Sequence, residues 1–297
     1  MAGRAPVTAV AFPWPFDREY MQLALVAGVV VGASAPLIGA YLVQKRLSLL
    51  GDGIGHIAFA GVAAGLLLET RFGIWAGWTA LVVAVGGAVA IERLRARGRT
   101  SGDLALALFF YGGIAAGVVL TGLAASLDAS ILSYLFGSIL TVTAADVWTV
   151  IALGAVIVAT VAVIGRALFS VVVDEESARV GGIPVDAVNT VLAALTALTV
   201  VAAMRVVGLL LVAAMMVLPV GTSQLVARSF RGTVAGAVAV GMGSVILGLV
   251  VARAWGLAPG GTIVLVASLA FAATFLATGA RRRRTAAPPE SALPRLG

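Results

Sequence analysis

Runs of about 20 apolar or small residues recur along the chain, separated by short polar stretches. A run of that length crosses the hydrocarbon core of a bilayer as an α-helix. The runs fall at about 20–43, 51–69, 73–91, 104–127, 144–165, 189–204, 206–226, 233–252 and 261–279. The segment "DASILSYLFGSILTV" (128–142) is also apolar, but it is short and holds Gly137. It predicts a broken or re-entrant helix lining a cavity, because irregular backbone survives at membrane depth only where protein or water satisfies it. The pattern therefore predicts an all-α polytopic membrane protein of about 8–9 transmembrane helices. Its membrane domain occupies 20–279, between an extracytoplasmic tail (1–19) and a disordered basic tail (280–297).

Composition narrows this further. The 297 residues are 61% hydrophobic and 11% charged, against about a quarter charged in a soluble domain. No large soluble domain fits between the apolar runs. Cysteine is absent, which excludes disulfides and thiolate metal sites. The net charge of +7 reports topology rather than nucleic-acid binding. The loops "QKR", "ERLRARGRTSGD", "GRALFSVVVDEESARVGG" and "RSFRG", with the tail from Arg281, carry 15 of the 20 lysines and arginines. The positive-inside rule puts that set in the cytoplasm, the N-terminus outside and the C-terminus inside. Trp14, Trp75, Trp78 and Trp255 fall near the predicted outer ends, as interfacial anchors do. Residues 1–19 lack a cleaved-signal pattern, since Pro13 and Pro15 break the short apolar part. The predicted location is a bacterial inner membrane, with lipid as a partner and no nucleic acid.

One apolar segment carries chemistry. "LSLLGDGIGHIAFAGVAAGLLLE" (47–69) holds Asp52 and the chain's single histidine, His56. Residues four apart share a helix face about 6 Å apart, so the two side chains can converge on one small ligand. Ala60 and Ala63 continue that face and leave it lightly packed. Gly61 and Gly65 point away at the spacing that suits close helix packing. The three glycines of "GDGIG" weaken the first turn and free carbonyls as further oxygen ligands. An imidazole and a carboxylate suit Mn²⁺, Fe²⁺ or Zn²⁺, and the pair alone leaves the ion short of ligands. Two readings stand on these residues. In one, Asp52 is an interfacial N-cap and His56 a hydrogen-bonded core residue. In the other they line an ion path, because ionisable groups inside a membrane are costly and mark transport routes.

The stretch "RLSLLGDGIGHIAFAGVAAGLLL" resembles the signature of permease subunits of zinc-, manganese- and iron-uptake ABC transporters, the ZnuB-like metal permease family. "SYLFGSILTVTAADV" (133–147), "DEESARVGGIPVDAVN" (174–189) and "MRVVGLLLVAAMMVLPVGTSQLVAR" (204–228) agree in the expected order, over about residues 20–278. The resemblance implies a homodimeric core, a separate ATP-binding subunit and an extracytoplasmic metal-binding lipoprotein. It implies that Asp52 and His56 contact the passing ion, with no permanently bound cofactor. Many zinc-type members carry an acid where this chain has Ser138, a departure that weakens the zinc reading.

The residues support a division of labour between chains. A P-loop needs Gly-x-x-x-x-Gly-Lys-Ser/Thr, and the single lysine, Lys45, lies within "YLVQKR". ATP hydrolysis therefore belongs on another chain, and this one is a transport subunit rather than an enzyme. The connection 166–188 is the candidate coupling contact. "DEESARV" forms a short helix with acids in its first turn, and "GG" then ends it before Pro184. Glu175, Glu176, Ser177, Ala178, Gly181 and Gly182 are its expected contact residues, and both glycines are expected in backbone geometry that larger residues resist. Pro36 and Pro219 should kink their helices. Met215 and Met216 read as membrane packing rather than soft ligands, and Arg205 as a residue snorkelling to the interface.

The function read from the sequence is the membrane-spanning permease of an ATP-driven importer of Mn²⁺ or Zn²⁺, with Fe²⁺ also compatible. The alternatives are a proton-coupled secondary metal transporter, an ABC permease for chelated metal or vitamin cargo, and a structural or sensory membrane protein. The tail generates the first prediction. "TAAPPESALPRLG" (285–297) has too little apolar content to dock as an ordered element. Its deletion should leave metal accumulation in cells unchanged, and loss of uptake with normal membrane expression would contradict this.

Overall fold

The apolar runs fold as helices that satisfy their own backbone, which is what a hydrocarbon environment demands. The structure is a computed structural model describing residues 14–73, 75–98, 102–123, 129–138, 142–204 and 206–286. Its helices are α1 Glu19–Gln44, α2 Leu50–Phe72, α3 Ala76–Ala96, α4 Gly102–Leu123, α5 Ala129–Phe136, α6 Ala144–Val173, α7 Glu175–Val180, α8 Val185–Met204, α9 Leu209–Gln224, α10 Phe230–Trp255 and α11 Pro259–Ala286. No strand occurs among the described residues. Eight of these helices are long and apolar enough to cross a membrane, and α9 is apolar but shorter. Arg205 and residues 1–13 and 287–297 lie outside the described residues.

Two ends of the bundle can be told apart by their contacts. At one end Lys45 Nζ pairs with Glu175 Oε1 at 2.7 Å and donates to Asn189 Oδ1, tying the exit of α1 to α7 and to the start of α8. This end carries the basic loops. At the other end Arg253 reaches Asp17 at 3.9 Å and bonds the Tyr20 hydroxyl, joining the end of α10 to the start of α1. Trp75, Trp78 and Trp148 gather beside Met204 at this second end. The tryptophans thus gather at one end and most of the cations at the other, as interfacial anchoring and charge bias require.

Small residues set the packing. The α2 face expected to pack closely does so: Cβ atoms at Gly61 and Gly65 would lie 2.8 and 2.6 Å from the Cα atoms of Ala80 and Ala76 on α3. Gly32 on α1 meets Gly241 on α10 with equal intimacy. Many large apolar side chains of α4 and α6, such as Leu108, Val118 and Val163, point outward. Lipid matches such surfaces as well as protein does, so close backbone approach is what selects the contact faces.

The helix bounds amend several sequence expectations. α6 runs through Arg166 to Val173, so the expected connection 166–188 narrows to residues 174–184. Thr143 starts α6 with a reciprocal capping box to Asp146, and nothing before Val173 breaks the helix. α3 likewise extends to Ala96, which places Glu92 and Arg95 on one helix with a 2.9 Å ion pair between them. α1 and α9 continue past Pro36 and Pro219.

Gly39 supplies the strictest packing constraint. A Cβ there would sit 1.9 Å from the backbone oxygen of Met216 on α9, and backbone cannot swing aside. Gly39→Val should destabilise the purified protein by about 3 kcal/mol or more. Gly86→Val, where nothing lies within 4 Å, should be close to neutral. Equal thermal stability of the two variants would contradict this packing.

Candidate functional site

From Gly51 to Ala63, α2 is buried at every position except Asp52 and His56. His56 Nε2 lies 3.8 Å from Asp52 Oδ1, beyond hydrogen-bond reach, and their side chains are 14% and 34% exposed respectively. The i, i+4 spacing therefore places an imidazole and a carboxylate side by side on the one open strip of an otherwise buried stretch of helix. The N-cap of α2 is Leu49, with no side-chain cap bond, so Asp52 is not the capping residue. It sits in the first turn, where the helix dipole favours a negative charge. His56 has no hydrogen bond among the described residues; its neighbour is the Phe110 ring on α4, 4.4 Å away edge to face. Imidazole nitrogens without protein partners turn to water or an ion.

The surroundings differ from the sequence expectation in two respects. Ala60 and Ala63 are 8% and 2% exposed, so the open strip ends at His56 instead of continuing along the helix. The glycines of "GDGIG" leave the first turn helical, with Gly53 N donating to Leu49 O. They serve packing: Cβ atoms at Gly51 and Gly53 would meet Met216 Sδ at 3.0 Å and Leu106 Cδ1 at 2.4 Å. Gly113 on α4 likewise leaves room for the backbone of His56, 2.7 Å from where its Cβ would be. Met215 and Met216 are fully buried, which is the packing role. Among the described residues no group of three or more His, Cys, Asp or Glu side chains converges. Ser138, after α5, is half-buried. Phe110 as the neighbour of His56 carries no signal in the sequence, because the approach of α4 to α2 exists only in the folded bundle.

At the basic end, α7 projects as a six-residue helix. Asp174 Oδ1 accepts from the amides of Glu176 and Ser177, and Oδ2 accepts from the Ser177 hydroxyl at 2.6 Å. These bonds hold the Asp174 carboxyl below its ordinary range, led by the Ser177 hydroxyl. Glu176 and Ser177 are exposed, and Val180 is 90% exposed at the tip. Ala178, expected on the contact face, is buried against the bundle. Glu175 points inward to Lys45 and Asn189. Gly182 takes φ +81, a left-handed conformation that favours glycine, whereas Gly181 at φ −72 is ordinary backbone. Val180 was not foreseen: nothing in "DEESARVGG" separates the tip from the buried turn until the direction of α7 is known.

The chain matches the ABC 3 transport family over residues 17–278 and belongs to it. A Treponema pallidum (strain Nichols) protein named "Probable metal transport system membrane protein" is 33% identical over 90% of this chain and 98% of its own length. "Manganese transport system membrane protein MntC" of Halalkalibacterium halodurans is 31% identical over 86% and 87% of the two chains. The solved structure "PsaBC from Streptococcus pneumoniae in complex with Fab" superposes with a TM-score of 0.77 at 29% identity, covering 87% of this chain and 91% of that one. The protein is thus a multi-pass bacterial membrane protein of the metal ABC permease family.

The α7 anchor gives a pH prediction. Burial alone would raise the Glu175 carboxyl, but hydrogen bonding and charge from Lys45, with help from Asn189, hold it below the ordinary value of 4.5. A depressed carboxyl contributes its stability fully above the unfolded value and loses it as pH falls through the folded one. A spin label at Val180 should therefore keep constant mobility from neutral pH down to about 4.5 and loosen below it. Lys45→Met should loosen it at every pH. Mobility that changes already near neutral pH would contradict the assignment.

Proposed function

We propose that the chain is the membrane-spanning subunit of an ATP-driven importer of a divalent transition metal, with Mn²⁺ the first candidate and Zn²⁺ or Fe²⁺ the others. The observation that carries the reading is the open strip of α2, where Asp52 and His56 stand alone among buried neighbours. A carboxylate and an imidazole at 3.8 Å offer one hard and one borderline ligand, a set compatible with Mn²⁺ and Zn²⁺. The charge of Asp52 offsets part of the ion's charge where water is scarce. Two ligands hold an ion loosely, which suits a cargo that must leave again, and the remaining positions fall to water, backbone or a second copy of the chain. The manganese names among relatives support the choice of cargo.

The same reading gives the ends their roles. The end with the basic loops faces the cytoplasm, the N-terminus lies outside and the C-terminus inside. α7 inserts into a groove of a separate ATP-binding subunit, with Val180, Glu176 and Ser177 as its outward surface and Gly182 turning the chain back. Lys45 and Glu175 make α7 part of the bundle, so a push on its tip is transmitted to α1 and α8. An extracytoplasmic metal-binding protein delivers the ion at the tryptophan-lined end, and two copies of the chain form the core.

The test is metal uptake with the partner subunits present. Asp52→Ala and His56→Ala should each lower uptake at least about ten-fold, since loss of mere outer-sphere support for a metal already costs 10–100-fold. Membrane expression should stay normal. A cysteine at Ser177 should crosslink to the ATP-binding subunit, and Gly182→Val should lose permease-stimulated ATP hydrolysis. Normal uptake by both alanine variants would overturn the ion path, and uptake without ATP would favour proton coupling.

A further inference from the structure

A cavity lies away from Asp52 and His56, at the basic end between α1, α6 and α10. It encloses about 630 Å³. Its walls are apolar: Leu37 from α1, Val161 from α6 and Val234 from α10, closed by the Phe169 and Phe230 rings at 4.8 Å. Gly165 keeps it open, since a Cβ there would already stand 3.3 Å from the Tyr41 hydroxyl. That hydroxyl faces the cavity and has no hydrogen-bond partner among the described residues.

The mouth of the cavity is cationic. Arg166 and Arg231 both line it, and both are exposed. Lys45, Arg95 and Arg179 at the same end each have an acidic partner. Arg166 and Arg231 have none among the described residues. Tyr41 lies three residues before the end of α1, and Arg231 is the second residue of α10. The mouth therefore sits where the helical layer meets water, at the depth of lipid headgroups, while the apolar walls lead back toward the hydrocarbon.

We infer that this cleft binds one anionic phospholipid from the adjoining leaflet. The phosphate sits between Arg166 and Arg231, and an acyl chain lies along Leu37, Val161 and Val234. The pairing of an apolar lane with two uncompensated guanidiniums selects this occupant. An apolar protein segment would leave the arginines unpaired, a soluble phosphate would leave the lane empty, and a zwitterionic lipid would bring an ammonium to a cationic mouth. Arginine forks match phosphate oxygens, and basic pockets between helices at this depth suit anionic headgroups. The site does not depend on which way the chain is inserted. It lies on α6, whose last turn leads directly into α7, so an occupied cleft braces the base of the projecting helix.

The test uses the full-length protein in nanodiscs of phosphatidylcholine containing phosphatidylglycerol, with retained lipid counted by native mass spectrometry. One phosphatidylglycerol per chain should be kept in preference to phosphatidylcholine. Removing each arginine should lower that occupancy roughly five-fold, and Arg166→Ala with Arg231→Ala on the order of thirty-fold. Val161→Trp fills the lane without touching the charges and should also expel the lipid. Thermal stability in phosphatidylcholine alone, unchanged in the variants, shows that they are folded. Equal retention by wild type and the double arginine variant would overturn the proposal. So would retention by Val161→Trp, full displacement by glycerophosphate without acyl chains, or a disulfide between copies carrying cysteine at Val234, which would show the cleft closed by a second chain.

Discussion

Unpaired backbone cannot face hydrocarbon, and the fold turns on how three breaks in its helices avoid doing so. α5 ends at Phe136, just before Gly137, α9 begins after the turn Val206–Gly208, and α11 begins near Gly260. These three breaks lie against one another: Cβ atoms at Gly137 and Gly260 would strike Val206 O and Val207 O, and one at Gly208 would strike the Phe136 carbonyl carbon. Val206 also packs on Gly28, well inside α1. The breaks are therefore gathered within the helical layer and shield each other. Glycine at each point permits the approach, and Gly208 at φ +92 needs it conformationally as well.

That arrangement positions the open strip of α2. α9 is short because its start is drawn into the layer, and Leu209 at that start lies beside Gly55 on α2. With α3 on the opposite face and α4 pressed onto the His56 backbone through Gly113, α2 is enclosed from Gly51 to Ala63 except at Asp52 and His56. The polar pair keeps partial exposure, 14% for His56 and 34% for Asp52, while its neighbours on the helix are buried.

Much of this was legible in the sequence. The apolar period gave about 8–9 spans in their order, since a membrane span must be a run of fixed length. The spacing of Asp52 and His56 gave a shared face, because i, i+4 geometry is local. Gly61 and Gly65 marked a close-packing face, but which neighbour covers a given residue was not legible. The burial of Ala60, Ala63 and Ala178 depends on which neighbour covers them. The cysteine-free loop 166–188 shortened to 174–184 because nothing in "GRALFSVVV" stops α6, and one glycine beside an arginine is too weak a breaker. Glu175 read as a free docking acid until Lys45, far away in sequence, was seen to hold it. The cleft between Arg166 and Arg231 joins three helices and has no linear signature.

The central claim is that His56 and Asp52 bind the passing ion, and the chain's single histidine makes a direct measurement possible. Any imidazole nitrogen coordinating Mn²⁺ in the tag-free permease must belong to His56. Pulsed electron paramagnetic resonance of Mn²⁺ added to the permease in nanodiscs should show nitrogen coupling from one imidazole. The coupling should vanish in His56→Ala and weaken in Asp52→Asn. A spectrum of fully hydrated Mn²⁺, or nitrogen coupling that persists without His56, would contradict the account.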